Sequence, residues 1–81
     1  MPINPKHVGE QIYALRKGKG ITQNDLGERL SVSPQAVSKW ENGDTLPDTG
    51  ILLDLCDVLN TTADKLLNGG SLAAVERRLM R

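Results

Sequence analysis

The chain has 81 residues, 38% of them hydrophobic, and its ten basic side chains balance its ten acidic ones. This length supports one small domain with a single modest core. One cysteine cannot form an internal disulfide, and the longest run of large aliphatic residues, Ile51 to Leu53, is far too short to cross a membrane. We therefore expect a cytoplasmic protein without a membrane segment.

The charges are segregated along the chain although their sum is zero. The first 19 residues contain four basic side chains against Glu10 alone, and residues 44–64 contain five aspartates with no Lys or Arg. A neutral sum argues mildly against a nucleic-acid binder, but the segregation leaves room for one positive surface.

Apolar residues recur at helical spacing, without the alternation of a strand, so the sequence predicts an all-α domain. A first helix is expected from about Lys6 to Lys17, with glycines at positions 18 and 20 to end it. Its buried stripe follows the i, i+4, i+7 pattern and consists of Val8, Ile12 and Leu15.

A second helix is expected to follow Thr22, which forms a capping-box pattern with Asp25. Leu26 and Leu30 are its apolar anchors. Gly27 lies between them and would let two helices approach closely at their crossing.

The third helix is expected within the stretch SPQAVSKWENG, residues 33–43. Ser33 is a suitable N-cap and Pro34 suits the first helical position, where its missing N–H costs nothing. The helix has two different faces. One face is apolar apart from a single acid and consists of Val37, Trp40 and Glu41. The other face is polar and consists of Gln35, Ser38, Lys39 and Asn42.

Two more helices complete the predicted domain. The fourth is expected from about Asp48 to Leu59, and a short fifth helix is expected to follow Thr62 and to stop at Asn68. The sequence thus predicts a compact five-helix domain over residues 1–70. Residues 71–81 form a tail, either a sixth helix or the start of a linker.

The second and third helices, residues 23–30 and 34–42, have the lengths and tight connection of a helix-turn-helix. Because the inner face of the third helix is committed to the core, its polar face must project outward. A DNA major groove is wide enough to admit such a helix, and its base edges offer donors and acceptors.

The segment GITQNDLGERLSVSPQAVSKWENGDTLPD resembles the lambda-repressor-like (XRE or Cro type) helix-turn-helix family, and LLDLCDVLNTTADKLL resembles the fourth and fifth helices of that family. The resemblance covers residues 6–69. It implies a five-helix DNA-binding domain of a bacterial or phage transcriptional regulator, acting as a homodimer on a pseudo-palindromic duplex.

The resemblance also implies roles for individual residues. Base-edge contacts fall to Gln35, Ser38 and Lys39, and phosphate contacts fall to Gln23 and Asn42. Gln23 also buttresses the recognition helix. Arg16 and Glu41 match a structural ion pair that links the first helix to the end of the recognition helix.

Three features depart from the family pattern. Ser31 occupies an interhelical turn where glycine is common, so a positive φ there would cost about 1 kcal/mol or more. Pro34 stands at a potential base-contact position without a donor. Asp44 and Asp48 flank a loop that is expected near the DNA backbone.

Other function classes find less support in the sequence. The chain lacks a phosphate-binding glycine loop, a cluster of metal ligands and a nucleophile–base pair, so we expect no enzyme, no cofactor and no metal site. The alternative is an antitoxin-like interaction module that also binds its own promoter, with a protein partner on the tail stripe Leu72, Val75 and Leu79. The chain is also compatible with the front part of a longer regulator.

Overall fold

The computed structural model describes residues 3–67, and this part of the chain is all-helical. Its helices are α1 (Pro5–Lys19), α2 (Gln23–Leu30), α3 (Pro34–Asn42) and α4 (Thr49–Val58), followed by α5 over residues 63–67. The predicted five-helix architecture is therefore confirmed. The possible sixth helix and the boundary at residue 70 lie outside the described residues.

Side-chain caps set the starts of the helices. The Thr22 hydroxyl accepts the Asp25 N–H at 3.0 Å, and the Asp25 carboxylate accepts the Thr22 N–H at the same distance, so the predicted capping box is present. This hydrogen bond from the backbone lowers the pKa of Asp25 below its usual value. The Ser33 hydroxyl accepts the Ala36 N–H at 3.2 Å, as expected for an N-cap.

Two helices begin at positions slightly different from those predicted. Asn4 caps α1, so that Pro5 rather than Lys6 opens the helix. Asp48 is the N-cap of α4 rather than its first residue, because its carboxylate accepts the Ile51 N–H at 3.0 Å. Both shifts reflect side-chain oxygens that compensate for helix N–H groups without a partner inside the helix.

The core is mainly aliphatic, with Trp40, 4% exposed, as its one aromatic residue within the described part. Leu15, expected in the buried stripe of α1, is only partly buried at the edge of this core. The buried set draws on all five helices and consists of Val8, Ile12, Leu26, Leu30, Val37, Trp40, Leu55, Cys56, Leu59 and Leu66.

Two glycines allow close backbone approach. A Cβ on Gly9 would lie 2.3 Å from the Trp40 carbonyl oxygen, so Gly9 permits α1 to cross α3. A Cβ on Gly27 would lie 2.7 Å from the Val32 carbonyl oxygen. Gly27 thus makes room for the turn after α2 rather than for a helix crossing, which corrects the sequence-based interpretation.

The turn itself contains the expected strained residue. Ser31 has φ 59°, in the left-handed region, and its N–H donates to the Glu28 carbonyl at 3.3 Å. The next N–H, that of Val32, donates to the Gly27 carbonyl at 2.8 Å. These bonds stabilise a turn whose conformation is unfavourable for serine by itself.

The helix crossing at Gly9 gives a first testable prediction. Gly9→Ala should lower the free energy of unfolding by about 3 kcal/mol, because the new methyl group meets two rigid backbone carbonyls. Gly18→Ala is the matched control, since a methyl group added there, in the same helix, would have no neighbouring atom within 4 Å. This control should stabilise the domain by about 0.5–1 kcal/mol. Urea unfolding of both variants measures the difference. Equal effects would contradict the close crossing.

Candidate nucleic-acid interface

Helices α2 and α3 are joined by only three residues, and α3 packs against both α1 and α2. Its inner face contributes Val37 and Trp40 to the core. On the opposite face, Gln35, Lys39 and Asn42 are exposed. The predicted division of α3 into a packing face and a polar face is therefore present in the structure.

Glu41, the acid on the inner face of α3, is held by three donors. Arg16 donates from Nε to Glu41 Oε2 at 2.7 Å and from Nη2 to Oε1 at 3.1 Å. Gln23 donates from Nε2 to Oε1 at 3.0 Å. The side chains of Arg16 and Glu41 are only 9% and 4% exposed, so this ion pair is largely shielded from water.

Arg16 makes one further contact, from Nη1 to the Ile21 carbonyl at 2.9 Å. The hydrogen bond with Glu41 raises the pKa of Arg16 above its already high ordinary value, so the guanidinium stays charged. We call the three side chains Arg16, Gln23 and Glu41 the clamp. It joins the end of α1, the start of α2 and the end of α3, and so fixes the direction in which the polar face of α3 points.

An open groove of about 590 Å³ lies beside the clamp. Its walls come from the end of α1, with Arg16 and Lys17, from the start of α2, with Gln23 and Asn24, and from Pro34 at the start of α3. The groove is therefore adjacent to the recognition helix and has positive charge on one wall.

Each residue proposed from the sequence has a defined position. Gln35, Ser38, Lys39 and Asn42 lie on α3, and Ser38 is partly buried whereas the other three are exposed. Gln23 lies at the first position of α2. One of its amide N–H groups is used by Glu41, and the second remains available for another acceptor.

Sequence reasoning missed Lys17 as a groove residue and Tyr13 as its neighbour. The Tyr13 ring centroid lies 5.9 Å from Lys17 Nζ. Their separation of four positions on a helix was the available signal, because such residues lie next to each other on the helix surface.

Residues 3–67 contain neither a metal-binding cluster nor a helix suited to span a membrane. No group of three or more His, Cys, Asp or Glu side chains is placed to hold a metal ion there. No helix in that range has the length and apolar character needed to span a membrane.

Comparison with known proteins indicates a helix-turn-helix domain, the same class of protein as the geometry indicates. The profile of the family described as Helix-turn-helix matches residues 12–66. The chain is 41% identical over 63 residues to the transcriptional activator BcrR of Enterococcus faecalis, covering 78% of this chain and 31% of BcrR. It is 41% identical over 58 residues to the transcriptional regulator YazB of Bacillus subtilis, covering 72% of this chain and 84% of YazB.

A solved structure shares both sequence and fold. The P22 c2 repressor in complex with a synthetic operator superposes with a TM-score of 0.75 at 42% identity, covering 76% of this chain and 94% of that one. The chain spans about a third of the length of two of these relatives: 31% of the Salmonella phage P22 repressor protein C2 and 31% of BcrR.

Fold and site together define a helix-turn-helix domain with an exposed polar recognition helix. The chain belongs to the lambda-repressor-like helix-turn-helix family of transcriptional regulators.

The clamp gives a second prediction. Arg16→Ala and Glu41→Ala should each lower the free energy of unfolding by about 3 kcal/mol, because each leaves the partner charge buried and unpaired. The double variant should lose clearly less than the sum of the two. Arg16→Ala should be the more severe single change, since it also removes the bond to the Ile21 carbonyl. Denaturant unfolding measures all three, and additive losses would show that the two charges are not coupled.

Proposed function

We propose that the chain binds double-stranded DNA in a sequence-specific manner as a transcriptional regulator, with α3 in the major groove. One observation carries this proposal: α3 is fixed on its inner face by core packing and by the clamp, while its outer face presents polar side chains. A rigid helix with an exposed polar face meets the geometric requirement for reading base edges.

The relatives support the same function. The P22 c2 repressor, at 42% identity, is described in complex with a synthetic operator. BcrR is described as a transcriptional activator and C2 as a repressor protein. The direction of regulation therefore differs among relatives of similar identity, and we propose DNA binding without assigning activation or repression.

Base recognition is assigned to the exposed face of α3. Gln35, in the first turn, has an amide that donates and accepts together, which suits bidentate pairing with adenine. Ser38 and Lys39 follow one turn later on the same side. Pro34, which precedes them, offers only apolar contact, and such contact suits a thymine methyl group.

Phosphate contacts are assigned to Gln23 and Asn42, one on each helix of the motif. Gln23 stands at the first position of α2, where helix N–H groups without partners favour an anion. Its second amide N–H adds a side-chain donor. Asn42 is exposed at the last position of α3. Contacts at both helices would fix the register of α3 along the groove.

The aspartates near this surface oppose phosphate binding to different degrees. Asp48 is engaged as the cap of α4. Asp44 is exposed just beyond the end of α3. A carboxylate at this position repels a nearby phosphate, so Asp44 weakens binding to every duplex rather than selecting a sequence.

We further propose that two copies act together on a pseudo-palindromic duplex in the cytoplasm, as a binding protein without catalytic activity. One recognition helix reads only a few base pairs, and two helices one DNA turn apart extend the site. The antitoxin-like alternative depends on residues 71–81, which lie outside the described part of the chain.

The third prediction separates base reading from phosphate contact. Duplexes that the chain selects from a random pool serve as the specific probe, and scrambled duplexes of equal length and composition serve as the control. Gln35→Ala should lose about 1–3 kcal/mol on the selected duplex and little on the scrambled one. Asn42→Ala should weaken both by similar factors, because a phosphate contact does not depend on sequence.

Salt dependence provides a control for these variants. Gln35 and Asn42 are uncharged, so neither substitution should change the slope of log affinity against log salt. Equal weakening of both duplexes by Gln35→Ala would show that the polar face of α3 does not recognise the base sequence.

The fourth prediction concerns stoichiometry. The selected duplexes should contain two related half-sites whose centres are about 34–36 Å apart, one turn of DNA. Each duplex should bind two copies of the chain, as measured by analytical ultracentrifugation. A complex with one copy on every tightly bound duplex would contradict the dimeric arrangement.

A further inference from the structure

Tyr13 is a half-exposed aromatic residue whose ring contacts two cations. Its side chain is 50% exposed on α1. The ring centroid lies 5.4 Å from Arg16 Cζ and 5.9 Å from Lys17 Nζ. Both distances fall within about 6 Å, the range in which a cation is attracted to the face of an aromatic ring.

The two cations differ in the charge that they can offer to a ligand. Arg16 is paired with Glu41 and nearly buried, so its charge is largely neutralised inside the protein. Lys17 is exposed. Among residues 3–67 the structure shows one ion pair, between Arg16 and Glu41, so Lys17 has no ion-pair partner in this range. Lys17 therefore supplies most of the available positive charge on the α1 wall of the groove.

The groove places Lys17 close to the proposed phosphate-binding end of α2. Lys17 lines the same concave surface as Gln23 and Asn24. A DNA strand that meets the start of α2 would pass this wall. The contact would extend the interface from the helix-turn-helix to α1.

We propose that Lys17 binds a DNA phosphate and that Tyr13 is the positioning residue that holds the lysine ammonium at the groove. This inference rests on the proposed DNA-binding function and adds a contact to it. A lysine side chain loses much rotational freedom when it binds, and a ring that already restricts it reduces that loss. A lysine ammonium has three N–H donors. It can therefore donate to a phosphate while the ring of Tyr13 lies against it.

The charge of Lys17 is tested first, by titrating the selected duplex and its scrambled counterpart at several salt concentrations. Lys17→Ala should weaken both duplexes about 3- to 10-fold near 0.1 M salt and reduce the salt slope by about one unit, the effect of one lost phosphate contact. Lys19→Ala is the matched control. It removes the same charge from an exposed position in the same helical turn, but Lys19 is not part of the groove lining. Its slope should stay at the wild-type value.

The role of Tyr13 is tested by variants that keep or remove the ring. Tyr13→Phe should bind like the wild type, because the ring face is retained. Tyr13→Leu should weaken both duplexes about two- to fivefold, the usual effect of an exposed cation–π contact. The double variant Tyr13→Leu, Lys17→Ala should bind as weakly as Lys17→Ala alone and no more weakly. The reason is that Tyr13 affects DNA binding only by positioning Lys17.

A spectroscopic measurement tests the same contact without DNA. In the wild type, ring currents should shift the Lys17 ε-methylene protons upfield in the NMR spectrum. The shift should persist in Tyr13→Phe and disappear in Tyr13→Leu. A wild-type spectrum without this shift would overturn the positioning role.

Failure of the inference is distinguishable from failure of the proposed function. If the wild-type chain selects a duplex but Lys17→Ala and Lys19→Ala have equal slopes, the phosphate contact at Lys17 is refuted and DNA binding stands. If Tyr13→Phe weakens binding as much as Tyr13→Leu, the hydroxyl rather than the ring acts and the positioning role is refuted. If the wild type selects no duplex, the proposed function itself fails.

Discussion

The clamp of Arg16, Gln23 and Glu41 is the interaction on which the geometry of this domain depends. It unites three helix ends, and the two residues of its ion pair are 25 positions apart in the sequence. A largely buried carboxylate is costly without partners, and here three N–H donors satisfy it. The cost of separating these groups restricts α3 to one orientation relative to α1 and α2.

The close packing around α3 reinforces this restriction. Gly9 brings the backbone of α1 against the carbonyls near the end of α3, and Gly27 makes room for the turn before its start. The strained Ser31 belongs to the same turn. Core burial and the clamp must outweigh this strain, so the packing face of α3 carries stability while its polar face is left for binding.

Positive and negative side chains are concentrated in different parts of the domain. The net charge of the chain is zero, but the end of α1 places cations beside the recognition helix whereas α4 exposes Asp54 and Asp57. Pairing Arg16 internally turns one cation into a structural element. Lys17 next to it keeps its charge for the groove. Adjacent basic residues thus have different tasks because one side chain reaches into the protein and the other remains at its surface.

The sequence by itself determined the helices, the caps at Thr22 and Ser33, the two faces of α3 and the family, because these depend on local spacing and short-range hydrogen bonds. Thr22 with Asp25 and Ser33 with Ala36 are contacts within three residues. Only the tertiary structure decided what crosses at Gly9, which backbone Gly27 approaches and how the groove unites Lys17 with the start of α2. These features depend on distances between segments remote in the chain, and local spacing carries no measure of such distances.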